Sequence, residues 1–478
     1  MSHAHKCTGF DPKKIYMLGE KSSGLESRGI LQNYEELKKS HLQSGTLFED
    51  PLFVPNETEL GEEVKLDNVE WLRPKEIRKN PIFIGEKEDR FDVNQGELGD
   101  CWFMAALADV TQNYKILERV VPSDQSFDKN YAGIFHFRFW QYGRWIDVVV
   151  DDRLPTRQRR EENGEITREL VYVKSKDKNV FWTALLEKAY AKLYGSYKNL
   201  DGGFVSEALG DLTGGLTEIH KAEQEHWNET LFEKMLESYQ KKSFMGCAIM
   251  NGTRLALSLG LIPSHAYSIT EVIEIRSRLS NVVKLLRIRN PWGRVEWTGN
   301  WNDRSELWNT IPDNIRTSLS VKIREDGEFW MEFKDFIKYF DILEICHRNQ
   351  DFGMTHWNCF MLDGSWSVNR NNTKYLLSLK GDGNISSVKI GLMQKNRRLH
   401  HQDQLPIGFK IETFFQAERQ PLRIQGPKEY LQVTGHVKLL NGNYLILPFV
   451  KGMDKRECEY LLRVYSTANF ELKELDSQ

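Results

Sequence analysis

Three short segments of the sequence carry the residue types that nucleophilic catalysis requires. The first, NQGELGDCWFMAA, places Cys101 after a glycine-containing loop and at the start of an apolar helical pattern. A thiol in the first turn of a helix lies where unpaired N–H groups and the helix dipole favour its thiolate, the nucleophilic form. Asp100 is the predicted helix N-cap, and Gln95 carries an amide that can donate to an oxyanion if the loop folds back. For a single cysteine, a buried structural role is the more common alternative.

The other two segments offer a base and a residue that orients it, which a thiol nucleophile needs. PSHAYSI puts His265 at the start of a predicted strand, and LLRIRNPWG ends another strand at Asn290. The carboxamide oxygen of Asn290 can accept from an imidazole N–H, and Trp292 beside it can exclude water. Each residue alone is more often structural. The three segments together indicate a Cys–His–Asn site.

Hydrophobic periodicity predicts the elements that position these residues. Apolar residues at three- and four-residue spacings predict one helix over 101–121 and a second over 182–193. Aromatic and β-branched runs predict a hairpin of strands 134–140 and 145–150. The charged run 157–169 is interpreted as a solvated surface loop.

The second half of the sequence is dominated by strand patterns. Glycines near 214–215 mark a predicted boundary. Three strands are predicted after it, at 266–273, 282–288 and 329–333. Short strands between turn residues then predict an antiparallel β-sandwich, at 375–379, 388–392, 433–440, 444–450 and 460–465.

Composition bounds the class of protein. The 478 residues, at roughly 100–200 per domain, indicate about three domains. The 65 basic and 68 acidic side chains give a net charge of −3, which argues against a nucleic-acid partner. No apolar run approaches the ~18 residues of a membrane span, and no secretory signal opens the sequence. The six scattered cysteines are typical of free thiols in a reducing compartment, so we expect a cytoplasmic protein.

The segments QGELGDCWFMAALA, SHAYSITEV and IRNPWGRVEWTGNWND resemble the calpain family of papain-like cysteine proteases. The similarity extends over nearly the whole chain. It implies an α+β fold, a papain-like protease core in two lobes followed by a C2-like antiparallel β-sandwich. The implied boundaries are an arm at 1–45, the Cys lobe at 46–214, the His/Asn lobe at 215–348 and the sandwich at 355–478.

The resemblance also implies the roles of the site residues. Cys101 would be the nucleophile, His265 the general base and acid, and Asn290 the residue that orients the imidazole. Gln95 would serve the oxyanion hole, and Trp292 would shield the Asn–His pair. The implied activity is calcium-dependent intracellular endopeptidase cleavage of protein substrates at a limited number of sites. A catalytically weak or inactive scaffold of the same fold is the alternative, and Asn290 argues against a transglutaminase, which uses an aspartate.

Calcium is the cofactor that the resemblance implies. From the residues alone, the acidic run around Glu325-Asp326-Gly327-Glu328 is a solvated turn or a site for a hard cation. The resemblance assigns ligands in the second lobe to Glu296, Asp303, Asp326 and Glu328, with the Arg324 carbonyl. In the first lobe Asp92 matches a ligand, but Val180 stands where the family has a glutamate, and the loop 85–90 is about one residue longer than in the family. Calcium binding in the first lobe is therefore expected to be weak.

Three further features of the sequence bear on function. Ser264 precedes the histidine where the family has glycine, which allows close approach of a substrate backbone. The last segment contains a basic stretch that a weak phospholipid contact could use, although a solvated loop is favoured: Lys395, Arg397, Arg398, His400 and His401. No EF-hand pattern occurs, so a small regulatory subunit is not an expected partner.

Overall fold

The computed structural model describes residues 5–6, 10–20, 30–56, 60, 69–85, 92–160, 164, 166–321, 323–347, 357–367, 373–380, 385–395, 397–400, 402–414, 421–452 and 457–475. Within these residues, three large hydrophobic clusters divide the fold into three consecutive regions. Among the helices of the described residues, none is both long enough and apolar enough to cross a bilayer.

The first region is built around helices that are buried on all sides. Every residue of the central helix from Trp102 to Thr111 is buried, as expected of a helix that is apolar all round. The strand β1 (His5–Lys6) precedes this region and pairs with the sandwich of the third region. The elements of the first region are β2 (Ile15–Met17), α1 (Tyr34–Ser44), β3 (Val69–Leu72), α2 (Pro74–Ile77), α3 (Cys101–Thr111), α4 (Tyr114–Val120), β4 (Ile134–Gln141), β5 (Arg144–Asp151), β6 (Leu154–Arg160), β7 (Ile166–Leu170), α5 (Trp182–Tyr194) and α6 (Val205–Thr213).

The second region is an antiparallel sheet with helices packed against it. Its strands follow the order β12-β11-β10-β9-β13-β8 within the described residues. The elements are β8 (Leu216–Lys221), α7 (Glu229–Gln240), β9 (Phe244–Ile249), α8 (Arg254–Ser258), β10 (His265–Arg276), β11 (Val282–Arg289), α9 (Asp313–Ser318), β12 (Glu328–Glu332), α10 (Phe333–Tyr339) and β13 (Ile342–His347). Helix α3 of the first region packs against β10, which brings the start of the helix to the start of the strand.

The third region is a sandwich of two antiparallel sheets. One sheet has the order β1-β14-β21-β16-β19 and the other β18-β17-β20-β15-β22, over the residues described. Alternate side chains of both sheets face a shared apolar core, which includes Leu377, Ile390 and Phe409. The strands are β14 (Asn358–Trp366), β15 (Lys374–Lys380), β16 (Ser386–Gln394), β17 (Ile407–Thr413), β18 (Pro421–Lys428), β19 (Gln432–Leu439), β20 (Gly442–Val450), β21 (Cys458–Ser466) and β22 (Asn469–Leu475).

The predicted α+β fold class, with a β-sandwich as the third region, is confirmed. The boundaries of the domains stay predictions. At the predicted boundary, Gly214 has a positive φ of 70° as the C-cap of α6, a conformation that favours glycine. Arg463 of the sandwich donates to the carbonyls of Gly214 and Gly215 at 2.7 and 3.0 Å, so the third region contacts this junction directly.

Several local predictions are wrong. The helix over 101–121 is two helices, because Asn113 caps a new one by accepting from the Ile116 N–H at 3.3 Å. The charged run 157–169 is not a loop, since β6 and β7 pair through Thr156–Arg160 and Ile166–Leu170. The segment 1–45, in contrast, was expected to be a surface arm or a short helix, and it contains α1. It also supplies β2, which pairs in parallel with β5.

The prediction that the cysteines are free thiols is wrong at one position. Cys101, Cys247, Cys346 and Cys458 are free, but Cys359 is disulfide-bonded. Scattered spacing in the sequence therefore did not exclude a disulfide.

The basic stretch of the last segment is largely engaged with protein instead of solvent. Lys395 is buried and its Nζ lies 2.6 Å from Asp363 Oδ1. Arg398 donates to the carbonyls of Asn199 and Gly202 and pairs with Glu207 at 2.7 Å. The interpretation as a solvated loop is thus wrong for these two side chains. The Lys395 pair lies within the sandwich, whereas Arg398 joins the sandwich to the first region. His401 lies outside the described residues.

Candidate active site

The structure brings Cys101 and His265 together at the junction of the first two regions. Cys101 is the first residue of α3 and is partly exposed. His265 is the buried first residue of β10. The backbone N–H of Ala266, the residue after the histidine, donates to the Cys101 sulfur. The thiol of one region therefore contacts the strand that carries the imidazole.

Asn290 holds the imidazole through a hydrogen-bond network that fixes its own orientation. Its Nδ2 donates to the carbonyls of Arg294 and Val295 at 2.9 and 3.0 Å. Its Oδ1 lies 2.8 Å from His265 Nε2 and also accepts from the Trp292 N–H at 3.0 Å. Because Oδ1 is the acceptor, His265 Nε2 must carry a proton, and in the neutral ring Nδ1 is then the basic nitrogen.

Trp292 covers this pair. Its ring centroid lies 4.7 Å from that of His265. An indole at this distance keeps water from the His–Asn hydrogen bond, which strengthens the bond in a medium of low dielectric constant. The backbone also closes the junction here, since the Gln95 N–H donates to the Pro291 carbonyl at 3.0 Å.

Gln95 lies on the loop before Cys101, and its amide is already engaged. Its Nε2 donates to the Leu98 carbonyl at 2.6 Å. A carboxamide has two N–H groups, so one remains for an oxyanion. The role of Gln95 in an oxyanion hole stays a prediction.

Both groups of the Cys–His pair are neutral at pH 7 in this arrangement. Burial raises the pKa of the Cys101 thiol to about 11, against the lowering by the Ala266 N–H. Burial also lowers the pKa of His265 to about 4, although Asn290 opposes this shift. The helix N-terminus was expected to lower the thiol pKa, but desolvation outweighs it here.

Asp100 does not act as the predicted N-cap. Its side chain accepts no hydrogen bond from the first turn of α3 and is fully buried beside Glu187. Burial raises the pKa of Asp100 to about 7, although a hydrogen bond with Glu187 opposes this shift. Burial and the charge of Asp100 raise the pKa of Glu187 well above its usual value. Sequence reasoning missed this acid pair directly before the nucleophile, because Glu187 lies within an apolar helix pattern far along the chain.

The carboxylates predicted as calcium ligands lie close enough to influence one another's charge: Glu296, Asp303, Asp326 and Glu328. Glu296 Oε1 accepts from the N–H groups of Asp326 and Gly327 at 2.9 and 2.8 Å. Burial and the facing carboxylates raise the pKa of Glu296 to about 7 and that of Asp303 to about 6. This mutual repulsion is what a divalent cation relieves, so the donor set fits calcium in chemical type.

The geometry of this cluster is not that of a formed metal site. Glu328 is turned to Arg287, at 2.7 Å, and to the Thr270 hydroxyl, at 3.0 Å. The Arg324 N–H lies 3.4 Å from Asp303 Oδ2, and nothing places its carbonyl as a ligand. Over the described part of the chain, no three acidic, histidine or cysteine side chains converge as metal ligands do.

The predicted calcium site of the first lobe lacks one of its carboxylate ligands. Val180 is buried and bridges Ile82, so an apolar side chain occupies the position assigned to a glutamate. Asp92 is partly buried. All of the 85–90 loop except Gly85 lies outside the described residues.

Ser264, where the family has glycine, has an unusual backbone conformation. Its φ is 51°, in the left-handed region that favours glycine. A serine there carries conformational strain next to the candidate base, and the sequence indicated this position only through its departure from the family.

Known proteins are similar to this chain over most of its length. A family model described as "Calpain family cysteine protease" matches residues 48–347. Calpain-A of Drosophila melanogaster is 40% identical, over 97% of this chain and 61% of the relative. Calpain clp-1 of Caenorhabditis elegans is 40% identical, over 93% and 62%. The Calpain-2 catalytic subunit of Bos taurus is 39% identical, over 94% and 69%. The chain thus spans about three fifths of the length of the first two relatives.

Proposed function

The chain belongs to the calpain family of cysteine proteases, and from this premise we propose that it is a calcium-dependent cytoplasmic endopeptidase that makes limited cuts in protein substrates. Cys101, His265 and Asn290 form its triad. The observation that carries the proposal is the Asn290 network, which presents His265 Nδ1 as the base at the strand whose next N–H contacts the Cys101 sulfur.

The proposed reaction is acyl transfer to the thiol. His265 Nδ1 takes the Cys101 proton as the sulfur attacks a peptide carbonyl, and the imidazolium then gives that proton to the leaving amine. Water, deprotonated by the same nitrogen, hydrolyses the thioester and releases the acid. Asn290 Oδ1 keeps Nε2–H in place throughout, and the second N–H of Gln95 stabilises the oxyanion.

The acidic loops are the proposed calcium site. Glu296, Asp303 and Asp326 would hold the ion, with Glu328 and the Arg324 carbonyl as further ligands. When bound, the ion supplies positive charge that offsets the repulsion among these carboxylates. The loops bear directly on the triad, because Asn290 donates to the carbonyls of Arg294 and Val295 and to that of Gly327.

The first lobe is proposed to bind calcium weakly. A buried valine replaces one carboxylate, and fewer charged ligands lower the affinity of an oxygen site for calcium.

A catalytically weak scaffold is the second candidate. The observation that favours it is the neutral state of the pair, since a thiol with a pKa of about 11 holds little thiolate at pH 7. The two candidates differ in whether calcium changes this state.

Cleavage of casein with and without millimolar calcium tests the proposal, with Cys101→Ser as the matched variant. Calcium-dependent cleavage that the variant loses is the expected result. Absence of cleavage by the folded wild-type protein, in calcium and a reducing buffer, would favour the scaffold.

A further inference from the structure

Two carboxyl side chains lie buried directly behind the candidate nucleophile. Asp100, the residue before Cys101, is 0% exposed, and Glu187 of α5 is 1% exposed. Their side chains form a hydrogen bond with each other. Among the described residues, no group other than Glu187 lies within hydrogen-bonding distance of the carboxyl oxygens of Asp100. The two acids therefore depend on each other.

The charged surroundings do not compensate two negative charges at this position. Lys188, which follows the glutamate in α5, is engaged with Asp151, and its Nζ lies 2.6 Å from Oδ1 of that residue. The other titratable groups that face the pair are Asp201, the Cys101 thiol and Tyr197, and none of them is a cation. Two ionised carboxylates in contact inside a protein repel each other and lose their hydration, so the pair retains a proton.

The hydrogen bond between the two groups indicates where this proton lies. Burial raises the pKa of both carboxyl groups, and the hydrogen bond then opposes this rise at Asp100 and adds to it at Glu187. A hydrogen bond that favours the ionised form of one acid and the neutral form of the other places the O–H on the second. Glu187 is thus the donor, and Asp100 carries the charge.

Glu187 also binds the backbone that supports the loop before the nucleophile. The Val173 N–H donates to Glu187 Oε2 at 3.2 Å. Segment 171–174 in turn pairs with loop 94–97 through backbone hydrogen bonds of 2.9 to 3.2 Å. This loop carries Gln95, the candidate oxyanion donor. One side chain of α5 therefore contacts both the residue before the thiol and the support of the oxyanion loop.

We propose that Asp100 and Glu187 share one proton near neutral pH, and that this acid–carboxylate pair positions Cys101 and the loop that carries Gln95. Neither carboxyl group reaches a substrate, so both are positioning residues. Only the catalytic consequence of the pair rests on the proposed function. The shared proton and the contact with the loop are properties of the folded chain, and they are measured without any substrate.

Capillary electrophoresis at pH 8 measures the charge of the pair. Glu187→Gln replaces a neutral acid with a neutral amide of the same shape, so its mobility should equal that of the wild-type protein. Glu118→Gln, at an exposed residue of α4, is the matched control and should shift the mobility by one charge. The double variant Asp100→Asn with Glu187→Gln should also shift it by one charge. A one-charge shift in Glu187→Gln alone, or a two-charge shift in the double variant, would overturn the shared proton.

Hydrogen exchange followed by mass spectrometry measures the support of the loop. Glu187→Leu removes both hydrogen bonds, so amides of segment 94–100 should exchange about tenfold faster than in the wild-type protein. Glu187→Gln keeps a donor for Asp100 and an acceptor for the Val173 N–H, and it should be protected like wild type. If Glu187→Leu does not fold, Asp100→Ala takes its place, with the same expectation for segment 94–100. Equal exchange in the leucine or alanine variant, the glutamine variant and the wild type would contradict the positioning role.

The catalytic consequence is measured by peptide hydrolysis. Glu187→Leu should lower kcat ~10–100-fold with little change in KM, because the thiol and the oxyanion donor are misplaced, whereas Glu187→Gln should restore the rate. Equal rates in the two variants would contradict the effect of the pair on catalysis. A wild-type protein that cleaves no peptide would contradict the proposed function but not the shared proton, which the electrophoresis and exchange measurements decide.

Discussion

The surroundings of Asn290 and the acidic loops beside it are stabilised in opposite ways. Every polar atom of the Asn290 carboxamide has a neutral partner. Oδ1 accepts from His265 Nε2 and from the Trp292 N–H, and Nδ2 donates to two carbonyls. Glu296 and Asp303 instead face other carboxylates, and both have raised pKa values. One network is complete in the protein alone, whereas the other contains carboxylates whose mutual repulsion the proposed calcium ion would offset.

The two networks share backbone, and this makes the difference functional. The Val295 carbonyl that holds Asn290 belongs to the residue before Glu296, and the Gly327 carbonyl that accepts from the Asn290 N–H follows Asp326. A change in the charge of the loops can therefore reach the imidazole through two hydrogen bonds. Substitutions at the nucleophile, at Asn290 and in the acidic loops should therefore have different effects.

Removing the nucleophile should have the largest effect. Cys101→Ser is expected to lower peptide hydrolysis by ~10⁴–10⁶-fold, because a hydroxyl is a far weaker nucleophile beside the same base. A fluorogenic peptide assay measures the loss. Circular dichroism should show an unchanged fold, and Cys458→Ser, at a free cysteine of the sandwich, should keep full activity. Retained activity in Cys101→Ser would place the chemistry elsewhere.

Removing the support should have the next largest effect. Asn290→Ala frees the imidazole to tilt, and a misplacement of about 1 Å costs ~10²-fold in kcat. It also leaves two carbonyls without their donor, which costs about 1–3 kcal/mol of stability if they are not rehydrated. Steady-state kinetics and urea unfolding measure these effects separately. Asn281→Ala, at an exposed loop position between β10 and β11, is the matched control; equal kinetics for the two variants would contradict the role of Asn290.

Removing a carboxylate should change stability and calcium response in opposite directions. Asp303→Asn is expected to raise the thermal midpoint in chelator, because it removes a carboxylate that burial and Asp326 disfavour. It should also raise the calcium needed for half-maximal activity about tenfold, since the site loses a charged ligand.

The pH dependence of this variant follows from the raised pKa. The ordinary aspartate pKa is about 4, and the folded value is about 6, so the stability contribution of wild-type Asp303 is present at low pH and lost as the pH rises through 6. The advantage of Asp303→Asn should therefore be greatest above pH 7 and vanish below about pH 4. Asp313→Asn, at an exposed residue of α9, serves as control. An unchanged calcium requirement in Asp303→Asn would remove this residue from the site.

Relieving the strain beside the base should have the smallest effect. Ser264→Gly removes the cost of a left-handed serine, roughly 1–2 kcal/mol, but adds about 0.5–1 kcal/mol of chain entropy in the unfolded state. A gain of about 0.5 kcal/mol or more in the free energy of unfolding is expected. Ser258→Gly, within helix α8, should destabilise instead. A loss of stability in Ser264→Gly would mean that the serine side chain supplies a contact that outweighs the strain.

Helices and strands were predicted best where the periodicity of apolar residues was strong within a short segment. The β4–β5 hairpin around Tyr142 and Gly143, helix α5 and the strands that start at His265 and end at Arg289 all follow from short-range periodicity. The candidate triad was predicted from three segments whose proximity depended on the family resemblance. The packing of α3 against β10 now supplies a physical reason for that proximity.

Predictions failed where a long-range contact overrides local chemistry. Asp100 stands at the N-cap position in the sequence, but its side chain is buried beside that of Glu187, and the two carboxyl groups interact with each other instead. Lys395 and Arg398 look solvated, but Asp363 and Glu207 hold them. The thiol pKa rises because the second region buries the helix N-terminus, and no periodicity within α3 could predict that.

The most direct test of the account is the rate at which a thiol-reactive peptide epoxide labels Cys101, measured by mass spectrometry near pH 7. In chelator the rate should be slow and should rise about tenfold per pH unit, because the thiol pKa is about 11. In calcium the labelling should accelerate at pH 7 and lose most of this pH dependence, and Asp303→Asn should need more calcium for the same rate. Labelling at one rate with and without calcium would contradict the claim that the acidic loops control the triad.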